Sequence, residues 1–494
     1  DGFNNQVRLE ADSFIVIADV SDAAEFVGIS SFVAMEDFPS LYENGILIEI
    51  AYRGNIIDAV QYNKSFYNDA SAESGGRSME RIHPLDPCDA PDNWAACNHA
   101  AGSTAGMRNS VYNISPDNSP PVFQNIIYDN NNFLTLVFSE PVSTDSADVI
   151  ATVNGVPISS ELIGVSGSYG NELLIPLGNV SVGQQFEVTI SGVTDCWGNF
   201  SQDLRSTFSI PDTIYNIGDL IINEVLYNPK EGGYDFIEVY NPGAKTISLA
   251  KWGIADATNG EMNTADILTE RGFIVQPGEY AVLTRNGSLL PVFYPATVSS
   301  SILNIEGFPD FSSDDEIFLL SPDALICDQL KYDEDMHFDL LNSTDGVSLE
   351  RVSSDIPTNN RENWNSASAY VNYATPRYLN SQESEAAIAG AFGSDPHIFS
   401  PDNDGYQDNL IFSYSMEEAG FVGNVRIYND KGQEVRHLVK SELMGREGKF
   451  IWNGLSELGA ELPVGAYVAV LEAFGLSGDV KNYRSVCVLA AKLN

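Results

Sequence analysis

The sequence predicts an all-β protein of tandem Ig-like β-sandwich domains. Three observations carry that reading. Short apolar runs such as FIVIA, ILIEIAY and IIDAVQY alternate with polar, turn-rich stretches, the pattern of strands between loops. Tyr, Phe, Val, Ile, Asn, Asp, Gly and Ser dominate, with no long Ala/Glu/Lys/Leu segments. A large block also occurs twice. FPDFSSDDEIFLL, ALICDQLKY, DGVSLERV and ENW answer FPSLYENGILIEI, GNIIDAVQY, GGRSMERI and DNW, so that Phe308, Tyr332, Glu350 and Trp364 each stand 270 positions after Phe38, Tyr62, Glu80 and Trp94. A constant offset means two copies of one domain.

The first copy occupies residues 1–112. Its segment RLEADSFIVIAD answers FIVQPGEYAVLT of the second copy. The second copy opens earlier, with DLIINEVLYNP and DFIEVYNPGAKTISLAKWGIAD, which have no counterpart ahead of Arg8. The first copy therefore reads as N-terminally incomplete, and Asp1 is expected not to be the biological N-terminus.

Residues 113–212 begin with a Pro/Ser/Asp linker, NISPDNSPP, and continue with short strands at regular spacing, a sandwich pattern. The phrases LTLVFSEPV and VTISGVTDCWGN resemble the bacterial Ig-like module. Residues 217–381 hold the full copy of the repeat. INEVLYNP, DFIEVYNP, ISLAKWGIAD and GEYAVLT resemble the lamin-tail domain, with Ala250-Lys251-Trp252 in place of the family's small-Gly-Trp. Residues 393–494 carry NVRIYNDKGQEVRHLV and a Trp452–Tyr467 block that resemble the hook-cap (FlgD-like) Ig module, found at the C-termini of exported proteins in type IX-secreting Gram-negative bacteria. Trp452 is expected in the core, with Pro463 and Gly465 turning the chain into the strand at Tyr467.

The formal net charge of −44 excludes a nucleic-acid or anionic-membrane partner, since no basic stripe exists to neutralise phosphates. No run of about 18 apolar residues spans a membrane in this chain. Catalytic signatures are missing: there is no HExxH, GxSxG, GxGxxG or P-loop, and the five histidines are scattered.

The strongest candidate site is the loop from Ser400 to Asp408. Asp402, Asp404 and Asp408 with the Tyr406 carbonyl fall at alternate, EF-hand-like positions around Gly405, oxygen ligands suited to Ca²⁺. The bidentate Glu of a complete EF-hand is replaced by Ile411. The alternative is an Asx-rich turn before a strand. Cys88 and Cys97 are spaced for a short-loop disulfide, with free thiols as the alternative; Cys196, Cys327 and Cys487 read as buried small residues. His83, Asp86, Asp92 and His99 around that loop read as a solvated loop rather than a metal site. Neighbouring strand residues point to opposite faces, so Glu80–Arg81 and Glu350–Arg351 are expected to be structural, each Arg pairing with a nearby strand or loop.

The function expected is a non-enzymatic extracellular or cell-surface scaffold or adhesion protein with protein partners at the outer membrane of a Gram-negative cell. The alternative is the accessory tail of a secreted nuclease or phosphoesterase, which the lamin-tail resemblance also allows.

Overall fold

The computed structural model describes residues 9–491 apart from 30, 43–44, 89–90, 131, 144–148, 168, 259, 299, 306, 384–389 and 403–405. The described chain is strand after strand, with one four-residue α-helix at Leu290–Phe293 and eight short 3-10 turns. No described helix is long and apolar enough to cross a membrane.

Three apolar cores organise it. The second module, residues 123–210, packs the sheet Gly164–Ser166, Glu172–Pro176, Phe133–Phe138, Phe123–Ile127 against the sheet Val156–Ile158, Ile150–Val153, Gln185–Ser191, Leu204–Ser209. Alternation along Gln185–Ser191 sends Phe186, Val188 and Ile190 into the shared core while the residues between them stay partly exposed, so register fixes which face is buried.

The third module closes a six-stranded sheet, ordered Ile302–Asn304, Tyr280–Thr284, Phe236–Tyr240, Ile221–Leu226, Leu349–Arg351, Trp364–Ser366, against a four-stranded sheet built on Gly253–Ala255, Asp314–Leu320 and Ile326–Asp333. Trp252 and Trp364 sit in this core. Every residue of Ile221–Leu226 is buried, because the strand is covered on both faces. One face meets the sandwich core. The other meets Tyr294 beside the short helix and the segment 374–382.

The fourth module lays Ala391–Asp395, Leu410–Ser415 and Glu447–Trp452 over a five-stranded sheet of Ile398–Phe399, Val480–Leu489, Gly465–Gly475, Phe421–Tyr428 and Glu434–Met444. Trp452 is fully buried between Phe399 and Tyr467.

The first copy of the repeat is thinner. Its hairpin Ile46–Tyr52/Asn55–Tyr62 matches the hairpin Asp314–Leu320/Ile326–Asp333. Yet Leu47 and Ile57 are exposed where Ile317 and Cys327 are fully buried. The strands Ile221–Leu226 and Phe236–Tyr240, which help bury that side in the second copy, have no counterpart among the described residues of the first. The part around Glu80 and Asn93 is well packed, with both side chains buried.

Candidate functional site

The modules do not hang freely from one another. At the seam between the second and third, Tyr128 N–H donates to Gly272 O (2.8 Å) and Gly272 N–H to Asp129 Oδ1 (2.7 Å). Ile127 bridges Phe273, and Arg271 pairs with both Asp129 and Glu172. A Cβ at Gly272 would lie 1.9 Å from Tyr128 O, so only glycine permits this approach.

At the seam between the first and second modules the bond is covalent. Cys88 and Cys196 form a disulfide across 108 residues, with Cα atoms 5.5 Å apart. This corrects the Cys88–Cys97 pairing. Cys97 is fully buried at the end of the strand Trp94–Ala96, its N–H donating to Ser78 O (2.8 Å) and its sulfur accepting from Ser110 Oγ. Cys88 lies on the loop that reaches the second module. Cys196 is thus not a lone buried residue either, whereas Cys327 and Cys487 are free and buried. Around the disulfide, Trp197 packs edge-on against His83 and donates to Asp86 Oδ1 (3.2 Å), and Asn199 donates to Asp117 O (3.2 Å).

Beside this bond Asp117, Glu140 and Asp195 converge, their ligand oxygens within 4.8 Å of one another. Asp195 is buried in the turn DCWGN, where it accepts from Trp197 N–H, Asn199 N–H and Asn199 Nδ2. Among the described residues no Lys or Arg pairs with any of the three. Burial, reinforced by the charges of Asp117, Asp195, Asp92 and Asp86, pushes the Glu140 carboxyl up to about 8. Glu140 and Asp92 also line a 650 Å³ cleft where the first three modules meet, with Asn63, Phe66, Tyr169 and Asn286. Asp86 and Asp92, read from sequence as a solvated loop, thus contribute charge to a junction. The sequence signal was the DxxGN turn holding Asp195 next to Cys196, but nothing in it specified the partners.

The C-terminal loop is closed by Ser400 N–H donating to Gln407 O (3.0 Å). Asp402 and Asp408 line one 610 Å³ cleft with Asn409, Asn453 and Glu461, and the Tyr406 side chain is exposed. Asp404 and Gly405 lie outside the described residues.

The Glu–Arg pairs are structural in both copies. Arg351 is buried, donating to Ile222 O (2.8 Å), Ile356 O (2.9 Å) and Thr358 Oγ1 (2.8 Å), with Asp328 at 3.7 Å. Arg81 makes the corresponding pair with Asp58 at 3.0 Å. Glu350 and Glu80 face the other way and accept from the last segment of their own copy.

No curated protein matches this chain. Among solved structures, a 1.5-MDa bacterial ice-binding adhesin is 11% identical over 76% of this chain and 100% of that chain, with a TM-score of 0.15. A glucan-utilization protein of Bacteroides ovatus in complex with a mixed-linkage heptasaccharide is 9% identical over 77% and 70%, TM-score 0.15. PorZ, a surface component of the type-IX secretion system of Porphyromonas gingivalis, is 12% identical over 81% and 63%, TM-score 0.17. Residues 214–334, which hold most of the third module, match the family described as Lamin Tail Domain.

Proposed function

We propose that the chain is a non-enzymatic scaffold or adhesion protein working outside the cytoplasm, at the surface of a Gram-negative cell, with protein partners in an outer-membrane assembly. The observation that carries this reading is the placement of the Cys88–Cys196 disulfide at a module junction. Such a bond persists in oxidising compartments. It also fixes the angle between two modules, which is what a spacer needs. The Gly272 seam supports the same reading, and the resemblance of residues 393–494 to the hook-cap module supports export. Peptide mapping of native protein alkylated without reductant should recover the linked Cys88 and Cys196 peptides. Free thiols at both positions, or turnover in a hydrolase panel, would overturn the proposal.

Calcium is the ligand we infer within this reading. Asp117, Glu140 and Asp195 offer only oxygen donors, which suit a hard divalent cation. The loop holding Asp402, Asp404, Tyr406 and Asp408 is the second candidate, resting on its sequence spacing. Calorimetric titration of the full chain should show Ca²⁺ binding that Glu140→Gln weakens, and loss of the remainder in Asp402→Asn/Asp408→Asn. No heat in the wild-type chain ends the idea.

A further inference from the structure

In the third module three glutamates stand abreast on one face of the six-stranded sheet. Glu224 pairs in register with Glu238 on one side and with Glu350 on the other. All three are fully buried, and among the described residues none pairs with a Lys or Arg side chain.

Segment 374–382 lies across the row and supplies most of its donors. Thr375 N–H donates to Glu224 (2.8 Å), Thr375 Oγ1 to Glu350 (2.7 Å) and Arg377 N–H to Glu238 (2.6 Å). Ser381 Oγ (2.7 Å) and Gln382 N–H (3.0 Å) donate to Glu350. Glu224 Oε2 is buried and has no partner. The three carboxylates do not converge as metal ligands do: among the described residues only Asp117, Glu140 and Asp195 bring ligand atoms within 4.8 Å of one another. A buried, unpaired carboxylate oxygen between two other buried carboxylates is a place for a proton.

The same segment is the hinge to the fourth module. Gln382 Nε2 donates to Ser366 O (2.8 Å) and Met444 O (3.4 Å), and Arg446 N–H donates to Ser381 O (2.8 Å). We propose that segment 374–382 is a proton-controlled latch: a proton held in the Glu224–Glu238–Glu350 row keeps the segment seated, and opening the segment releases that proton and frees the contact with the fourth module.

The other titratable or charged groups facing the row are Tyr294, from beside the short helix, and Tyr378 and Arg377, from the segment. The Arg377 guanidinium is spent on Tyr280 O and Ser300 O. Burial, then the neighbouring carboxylates, raises Glu224 well above the ordinary range. Burial raises Glu238 to about 8 against its hydrogen bonds, and it raises Glu350 as well. The first copy supplies an internal control. Glu80 sits under the corresponding segment, with Thr104 Oγ1, Ser110 N–H (2.7 Å) and Ser110 Oγ (2.7 Å) donating to it, but it has no such neighbours among the described residues. There burial is outweighed by those hydrogen bonds, and the carboxyl lies below its ordinary value.

The test is hydrogen exchange on the full chain between pH 5.5 and 7.5, corrected for intrinsic rates. If closing the segment traps one proton, protection of its amides and of Arg446 falls about tenfold per pH unit. Amides of 103–110 should show no such slope. Glu224→Gln should flatten the slope at 374–382, and Glu238→Gln replaces it if that variant does not fold. Protection independent of pH, an equal slope in 103–110, or the same slope in Ile221–Leu226 and the segment together would overturn the latch.

Discussion

Cys88 of the first module is bonded to Cys196 of the second, one residue from the buried Asp195 on which the junction's acidic cluster is built. Bond and cluster therefore share one turn, and loosening one disturbs the other. Closing a loop of 108 residues removes chain entropy from the unfolded state, a contribution of about 4 to 5 kcal/mol in the loop-closure picture. Cys196→Ser, or reduction, is expected to lower the unfolding midpoint of the first two modules by several degrees, read by calorimetry with and without reductant. Exchange protection of the fourth module's amides in Gly465–Gly475 should not move.

The seam at Gly272 gives a sharper expectation. A methyl group there meets Tyr128 O at 1.9 Å, and the two backbones cannot both keep their hydrogen bonds. Gly272→Ala should cost about 1 to 3 kcal/mol, as overpacking does. Exchange protection at Tyr128 and Gly272 should fall first. Unchanged protection at both amides would mean the seam tolerates a side chain.

The two copies of the Arg–Asp pair differ in burial, so the same substitution should have unequal effects. Arg351 and Asp328 side chains are 3% and 11% exposed, whereas Asp58 is 51% exposed beside Arg81. Arg351→Ala takes the guanidinium from Ile222 O, Ile356 O and the charge of Asp328, which keeps its bonds from Thr358 Oγ1 and Ile222 N–H, and should destabilise the third module by about 2 to 4 kcal/mol. Arg81→Ala should cost less than about 1 kcal/mol. Denaturant midpoints of the two variants decide the comparison.

Glu140 sets the pH dependence of the first junction. Its carboxyl titrates near 8 when folded and in the ordinary carboxylate range when unfolded, so the unfolded chain gives up the proton first. Stability at this junction should fall as pH rises from about 4.5 to about 8 and level off above. Glu140→Gln should remove that slope and raise the melting temperature at pH 8 in cation-free buffer. Saturating Ca²⁺ should raise the wild-type value more than the variant's. Melting curves across that pH range, with and without Ca²⁺, check both statements.

The all-β class was legible because alternation and repetition are local or periodic. Phe186, Val188 and Ile190 announce one face of a strand, and the 270-residue offset carries Glu80 onto Glu350 and Asp58 onto Asp328. The junction chemistry was not legible. Asp117, Glu140 and Asp195 come from a linker, a strand end and a turn, and only the fold of the linker back against the second module brings them together. Cys88 was read with its near neighbour Cys97 because sequence distance was the only measure at hand. Its partner lies beyond a whole strand-built core. The glutamate row was hidden for a similar reason. Glu224, Glu238 and Glu350 look like ordinary surface positions of amphipathic strands until segment 374–382 covers them.

The Cys88–Cys196 bond also decides how the molecule bears load. Pulled from its two ends, the chain carries force through the disulfide, and the residues between the two cysteines, which include almost all of the second module, lie off the loaded path. At 3.3 to 3.6 Å per extended residue, roughly 350 to 390 Å of contour is withheld from extension. A force–extension trace of the oxidised chain should lack that length, and reduction should return it in one step. The loop between the two cysteines stays locked even when the last strand of the second module, Leu204–Ser209, which lies beyond Cys196 on the loaded path, is pulled from Gln185–Ser191.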